Sequence, residues 1–222
     1  AQTDMFIVTN FNNLNTAFHV QSVEGIHRVS WTDIIKPDST INAAGVGMAT
    51  GIIRIEGKLI IILDFEKIVA EINPESGLKI SDVDHMADRS RNTSPILIAE
   101  DSPLLSKMLV DCLHRAGFTN ITTTDNGQEC WETMQGYKAN GTLEQDVACV
   151  ITDIEMPQMD GHRLTKLIKT DDTMKKVPVI IFSSLINDEM RRKGESLGAD
   201  KQLSKPEIGQ LVDAIDEILH IS

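Results

Sequence analysis

The chain has 222 residues, 41% of them apolar and 24% charged, with a formal net charge of -12 at neutral pH. Residues 1–94 carry 8 basic and 12 acidic side chains and residues 95–222 carry 13 and 21, so both parts are acidic, which argues against a nucleic-acid surface or an anionic membrane surface. The apolar share is that of a folded protein, the length suits one large domain or two small ones, and neither a signal peptide nor an apolar run near the roughly 18 residues of a membrane span is visible.

The chain begins at Ala1, without an initiator Met, and reaches the apolar run Met5-Phe6-Ile7-Val8 almost at once, so a fragment or processed form is expected. Residues 1–65 read as strands and loops. Ala17 to Val20 leads into Val23 to Trp31 with rough apolar alternation, which predicts further strand, with Trp31 half-buried on it. Gly51 to Ile55 and Lys58 to Leu63 flank Glu56-Gly57 and predict a hairpin, Gly57 supplying the positive φ of a tight turn. Phe65, Ile68, Val69 and Ile72 then fall at helical spacing. The glycines from Gly45 to Gly51 follow a polar loop and open a strand. A phosphate-cradling loop does the reverse, so a plain turn is expected there. Asn73 to Ser94 is polar and holds Pro74 and Gly77, and it reads as a linker, with room for a brief helix or strand around Leu78 to Val83.

From Pro95 the pattern changes. Short apolar runs at Ile96–Ala99, Ile121–Thr124, Val147–Thr152, Val177–Phe182 and Gln202–Ser204 alternate with helical stripes. Ser102 and Pro103 open the first helix as cap and first residue; Leu105, Leu109 and Cys112 line it, and Gly117 stops it. Cys130 and Met134 mark the second helix, Leu164 and Ile168 the third, and Ile208, Leu211 and Ile215 the last. A polar helix spans about Asp188 to Leu197. Cys112, Cys130 and Cys149 form no C-x-x-C pair and read as reduced core residues of a cytoplasmic protein. Five continuous apolar strands between helices predict a doubly wound α/β parallel sheet covered on both faces. His162 reads as a solvated helix residue.

Four of these strands end in polar groups: Glu100 and Asp101, Asp153, Ser183, and Lys205. Parallel strands put all of them on one edge, where ligands of open α/β sheets bind. Three crowded carboxylates repel one another, and a hard divalent cation resolves the conflict; Mg²⁺ suits one or two direct carboxylates, a backbone carbonyl and waters. With an ammonium and a hydroxyl beside it, such a site suits a phosphoryl group accepted by an aspartate.

Glu100-Asp101, Asp153 with Met156-Pro157 and Asp160-Gly161, Ser183, Gly198-Ala199-Asp200 and Lys205-Pro206 together resemble the receiver domain of two-component response regulators. The resemblance covers residues 95–222. It implies a flavodoxin-like five-stranded sheet, with the second strand outermost and the first beside the third. It further implies that Asp153 is the phosphoacceptor and that Asp101 and Asp153 bind Mg²⁺ directly. Glu155 would add its backbone carbonyl and Glu100 a water-bridged contact. Lys205 would pair with a phosphoryl oxygen, and Ser183 would move to bond another. The family carries an aromatic residue three positions before the lysine, where this chain has Gln202.

Residues 1–72 resemble the later part of CheW-like coupling domains, through Phe18 to Ile26, Ile34-Ile35-Lys36-Pro37, Gly51 to Ile55 and Leu59 to Asp64. Residues 73–94 are the linker. The order, coupling part and then receiver, resembles CheV-type chemotaxis proteins. That implies a non-enzymatic cytoplasmic scaffold, phosphorylated by the histidine kinase CheA and linked to chemoreceptor tips, with no nucleic-acid partner and no membrane insertion. Two alternatives stay open: a sink that drains phosphate from the kinase, and a metal-dependent phosphatase with an aspartate nucleophile and Glu155 as general acid. Met156-Pro157 and the lack of a cap favour the receiver over the phosphatase.

Overall fold

A computed structural model describes residues 4–11, 14–30, 33–35, 49–72, 90–205 and 207–220. Trp31, the glycine run as far as Met48, and the linker between 73 and 89 lie outside the described residues. The chain divides into two compact units, Ala1–Gly77 and Leu78–Ser222.

In the first unit, strand β1 (Met5–Phe11) pairs antiparallel with β2 (Leu14–Val20), Met5 opposite Val20. Strand β3 (Ala49–Ile55) pairs with β4 (Lys58–Leu63) around Glu56 and Gly57, whose φ values of 49° and 80° give the doubly left-handed turn that matches strand twist. Helix α1 (Phe65–Ile72) follows, and Phe65 meets Phe18 edge-on, with ring centroids 4.7 Å apart. Ile53 and Val69 are buried. The strand expected over Val23 to Trp31 does not form where the chain is described: residues 21–30 are exposed and carry no strand. Apolar alternation alone does not make a strand, because the backbone needs a partner, and among the described residues none pairs with this stretch.

The second unit contains β5 (Ile96–Ala99), α2 (Pro103–Arg115), β6 (Ile121–Thr124), α3 (Gly127–Asn140), α4 (Leu143–Asp146), β7 (Cys149–Thr152), α5 (Gly161–Thr170), β8 (Val179–Ser183), α6 (Asp188–Ser196), β9 (Lys201–Ser204) and α7 (Ile208–Leu219). The strands form one parallel sheet in the order β6-β5-β7-β8-β9, as expected. The single-turn helix α4 was not anticipated. Ser102 caps α2 through the Leu105 amide, with Pro103 first in the helix. Hydrogen bonding to this unit starts before Pro95, since the Asn92 amide donates to Gly117 O and Thr119 N donates to Asn92 O.

Side chains alternate across the sheet and produce two cores. Ile96, Ile98, Cys149, Ile151, Ile180 and Phe182 face α2 and α7. Leu97, Ala99, Val150 and Val179 face α3 and α5. Every residue of β5, β7 and β8 is buried, which is why these strands read as unbroken apolar runs. Burial pushes the Cys130 and Cys149 thiols up to about 12, so they pack as small apolar groups.

His162 departs from expectation. It is 2% exposed, on the buried face of α5 with Leu164, Thr165 and Ile168. Its ring lies against Met190 and Lys193 of α6, and its Nε2 finds no hydrogen-bond partner among the described residues. Burial lowers its pKa from 6.5, Lys193 pushes the same way, and Asp160 and the Met190 backbone oppose them. The unfolded chain therefore binds a proton here that the folded chain resists, and stability drains as pH falls below about 6.5. Thermal unfolding should show a fall in midpoint over that range that is shallower in His162→Gln, which does not titrate. Ile98→Ala, at a fully buried site, should cost about 2–5 kcal/mol in urea unfolding, whereas Ile72→Ala, at a 75% exposed one, should stay within about 0.5 kcal/mol.

Candidate functional site

The register of the sheet brings the strand ends together. Ala99 pairs with Thr152, Thr152 with Ile181, and Ser183 with Ser204. The residues that follow, Glu100, Asp153 and Lys205, therefore emerge on one edge. They meet there: Lys205 Nζ donates to Glu100 Oε2 at 2.7 Å and to Asp153 Oδ2 at 3.1 Å. All three are nearly out of water, at 4% exposure for Glu100, 7% for Asp153 and 3% for Lys205. Glu100 Oε1 accepts from the Ser102 amide at 3.1 Å, and Asp153 Oδ1 from the Ile154 amide at 2.6 Å.

Asp101 is half-buried, and its carboxylate lies with those of Glu100 and Asp153 in a cluster whose ligand atoms are within 4.8 Å of one another. Lys205 sets its ammonium against two of three crowded carboxylates, a donor set that suits an oxygen-ligated divalent cation. The Glu155 side chain is exposed and stands outside this cluster, so any part it takes falls to its backbone carbonyl. Ser183 is 1% exposed at the end of β8; its carbonyl accepts from the Lys205 amide at 3.2 Å and its Oγ from the Leu185 amide at 3.3 Å. Gln202 is half-buried on β9 and engages α6 instead of the carboxylates.

The loop after Asp153 is fastened from several sides. Met156 and Met159 are buried beneath it. Gly161 N donates to Ile154 O at 2.9 Å, and a Cβ on Gly161 would collide with the Asp153 carbonyl oxygen, so only glycine lets α5 start this close. Asp160 caps that helix through the Arg163 amide at 2.7 Å. Thr152 Oγ1 donates to Asp153 O at 2.8 Å. Gly127, at the start of α3, donates its amide to Met159 O at 3.2 Å, and a Cβ there would lie 2.5 Å from that oxygen. Asp160-Gly161 stands out in the sequence as part of this loop, whereas Thr152 and Gly127 do not. The Asn126-Gly127 pair between a strand and a helix was the available signal for the second.

The protein-family model for the response regulator receiver domain matches residues 96–216, and that for the CheW-like domain matches residues 1–73. The chain is 31% identical over 222 residues to the chemotaxis protein CheV2 of Helicobacter pylori, covering 97% of this chain and 67% of that protein. It is 29% identical over 217 residues to CheV3 of the same organism, covering 96% and 68%. Among solved structures, the receiver domain of a signal transduction histidine kinase from Syntrophus aciditrophicus aligns with a TM-score of 0.50 at 26% identity, over 58% of this chain and 91% of that one. Vibrio cholerae CheY4 shares the fold, with a TM-score of 0.50 at 22% identity, over 58% and 100%. With a CheW-like domain leading into a receiver whose strand ends gather Glu100, Asp101, Asp153, Ser183 and Lys205, the chain belongs to the CheV-type chemotaxis proteins.

Proposed function

We propose that the receiver accepts a phosphoryl group on Asp153 from the phosphohistidine of CheA, and that this modulates the coupling of chemoreceptors to the kinase by the CheW-like part. The observation that carries the reading is the buried Lys205 ammonium shared by Glu100 and Asp153 beside a three-carboxylate cluster. An Asp153 carboxylate oxygen attacks phosphorus, forming an O–P bond while the N–P bond of the donor breaks and the imidazole leaves. Lys205 is positioned to follow the charge from Asp153 Oδ2 onto a phosphoryl oxygen, with Glu100 holding it in place meanwhile. Ser183, whose hydroxyl now accepts only the Leu185 amide at 3.3 Å among the bonds described, can turn to donate to another phosphoryl oxygen. Asp101 and Asp153, with Glu100 behind and the Glu155 carbonyl alongside, would hold Mg²⁺, which supplies charge neutralisation to the transferring group.

The proposed role is that of a regulated scaffold and not of an enzyme with its own substrate. Release of phosphate from an added phosphate ester should not exceed one equivalent per chain, and sustained turnover would favour the phosphatase chemistry instead.

Radiolabel transfer from phosphorylated CheA should be lost in Asp153→Asn and in the parent protein with EDTA. Labelling of Asp153→Asn at the parent rate would sink the assignment. Lys205→Met leaves two buried carboxylates without their ammonium, so in EDTA it should lower the unfolding free energy by about 3–5 kcal/mol. Added Mg²⁺ should recover part of that loss, because a bound cation neutralises the same carboxylates.

A further inference from the structure

Helix α6 is held differently from its neighbours. Helices α2, α3, α5 and α7 each bury apolar side chains, whereas α6 buries only Gly194 among its residues. Its grip on the sheet is polar. Gln202 Nε2, on β9, donates to the Arg191 carbonyl at 2.8 Å, and Arg191 Nη1 donates back to the Gln202 carbonyl at 3.3 Å. The other end of the amide, Oε1, is buried and finds no hydrogen-bond partner among the described residues. Gly194 explains how the amide fits. A Cβ there would strike Oε1 and lie 2.5 Å from Cδ and 2.9 Å from Nε2. Glycine is a poor residue for a helix interior, and here the missing methyl admits the Gln202 amide.

The same strand reaches the site. Gln202 pairs with Ile181 and Ser204 with Ser183, and Lys205 N donates to Ser183 O at 3.2 Å. Residues 184–187 link Ser183 to α6, and Asn187 caps the helix through the Met190 amide at 2.9 Å. A shift of Ser183 therefore pulls on α6 through a short tether, while Gln202 resists from the strand.

We infer that Gln202 is a positioning residue that latches α6 onto β9, and that the latch opens when the Ser183 loop is drawn toward a phosphoryl group on Asp153. The opening step rests on the phosphoacceptor reading above; the latch itself does not. Opening breaks the bonds from Nε2 and from Arg191 Nη1 and in return opens the buried Oε1 to water, and an unsatisfied buried acceptor is costly to keep. Such a contact yields to a modest push.

Hydrogen exchange of the full chain over residues 188–197 tests both parts, in the parent, Gly194→Ala, Gln202→Ala and the double variant. In the parent background Gly194→Ala should speed exchange by roughly fivefold, because the methyl expels the amide and a hydrogen bond is lost. In the Gln202→Ala background the same change should slow it by roughly threefold, because alanine then only improves the helix. Slower exchange from Gly194→Ala in both backgrounds would overturn the latch. Beryllofluoride with Mg²⁺, a phosphoryl mimic, should speed α6 exchange in the parent and add little in Gln202→Ala; an equal increase in both would overturn its opening. If the mimic leaves exchange around residues 153–160 unchanged, the phosphoacceptor reading fails and takes the opening step with it, while the sign reversal in the free protein still decides the latch.

Discussion

The receiver is built around one buried ammonium. Lys205 lies 105 residues from Glu100 and 52 from Asp153 in sequence, yet it bonds both. Stripping three ions of most of their water costs several kcal/mol each, and only close, hydrogen-bonded pairing offsets it. That demands a geometry with little tolerance: β5, β7 and β9 must run parallel and end in one plane. The apolar sheet supplies this order, and the charged edge in turn allows one register, since a slip of a single residue in β7 or β9 would swing Asp153 or Lys205 to the opposite face of the sheet, away from its partners. Removing one partner does more harm than never having built the group, because it leaves a charge buried without compensation.

Around that edge the two sides are built from different materials. On the Asp153 side, Met156 and Met159 are buried, Gly127 and Gly161 permit backbone contacts no other residue would fit, and Thr152 ties down the Asp153 carbonyl. Dense apolar packing of this kind resists small displacements. On the Ser183 side, the helix that follows buries one glycine and is held by Gln202 and the His162 contact, each with a buried nitrogen or oxygen left unsatisfied among the described residues. Polar contacts with an unsatisfied member are close to balance and easily traded for water. A perturbation at the carboxylate edge should therefore tighten or loosen the Asp153 loop where it stands and displace α6 more than that loop.

The fold of the receiver was legible because its strands are buried on both faces, so the sequence carries unbroken apolar runs with acid, hydroxyl or lysine at their ends. Glu100, Asp153, Ser183 and Lys205 could be assigned to one edge from that pattern alone. What could not be read was contact across elements. His162 looks solvated along its own helix and is buried by a neighbouring one. Gly127 and Gly161 resemble ordinary turn glycines until the carbonyls of Met159 and Asp153 are in place beside them. Gln202 reads only as a missing aromatic, because nothing local says that Gly194 makes room for its amide. In the first unit, the apolar alternation from Val23 suggested a strand that the described chain does not form, since pairing is a property of two segments and periodicity a property of one.

Replacing an aromatic by Gln202 changes how a switch at this position can work. A ring is held by area: it can rotate between two partly buried positions and lose contact gradually, since dispersion and burial are non-directional. An amide bonded to a backbone carbonyl is held by direction, and its bond fails steeply with distance and angle. Arg191 O at 2.8 Å and the space a side chain at Gly194 would fill define the seat of the Gln202 amide on α6. The helix is then either seated or released, with few states between. Graded movement at Ser183 would become a two-state change at α6, with the population, and not the amplitude, reporting occupancy of Asp153.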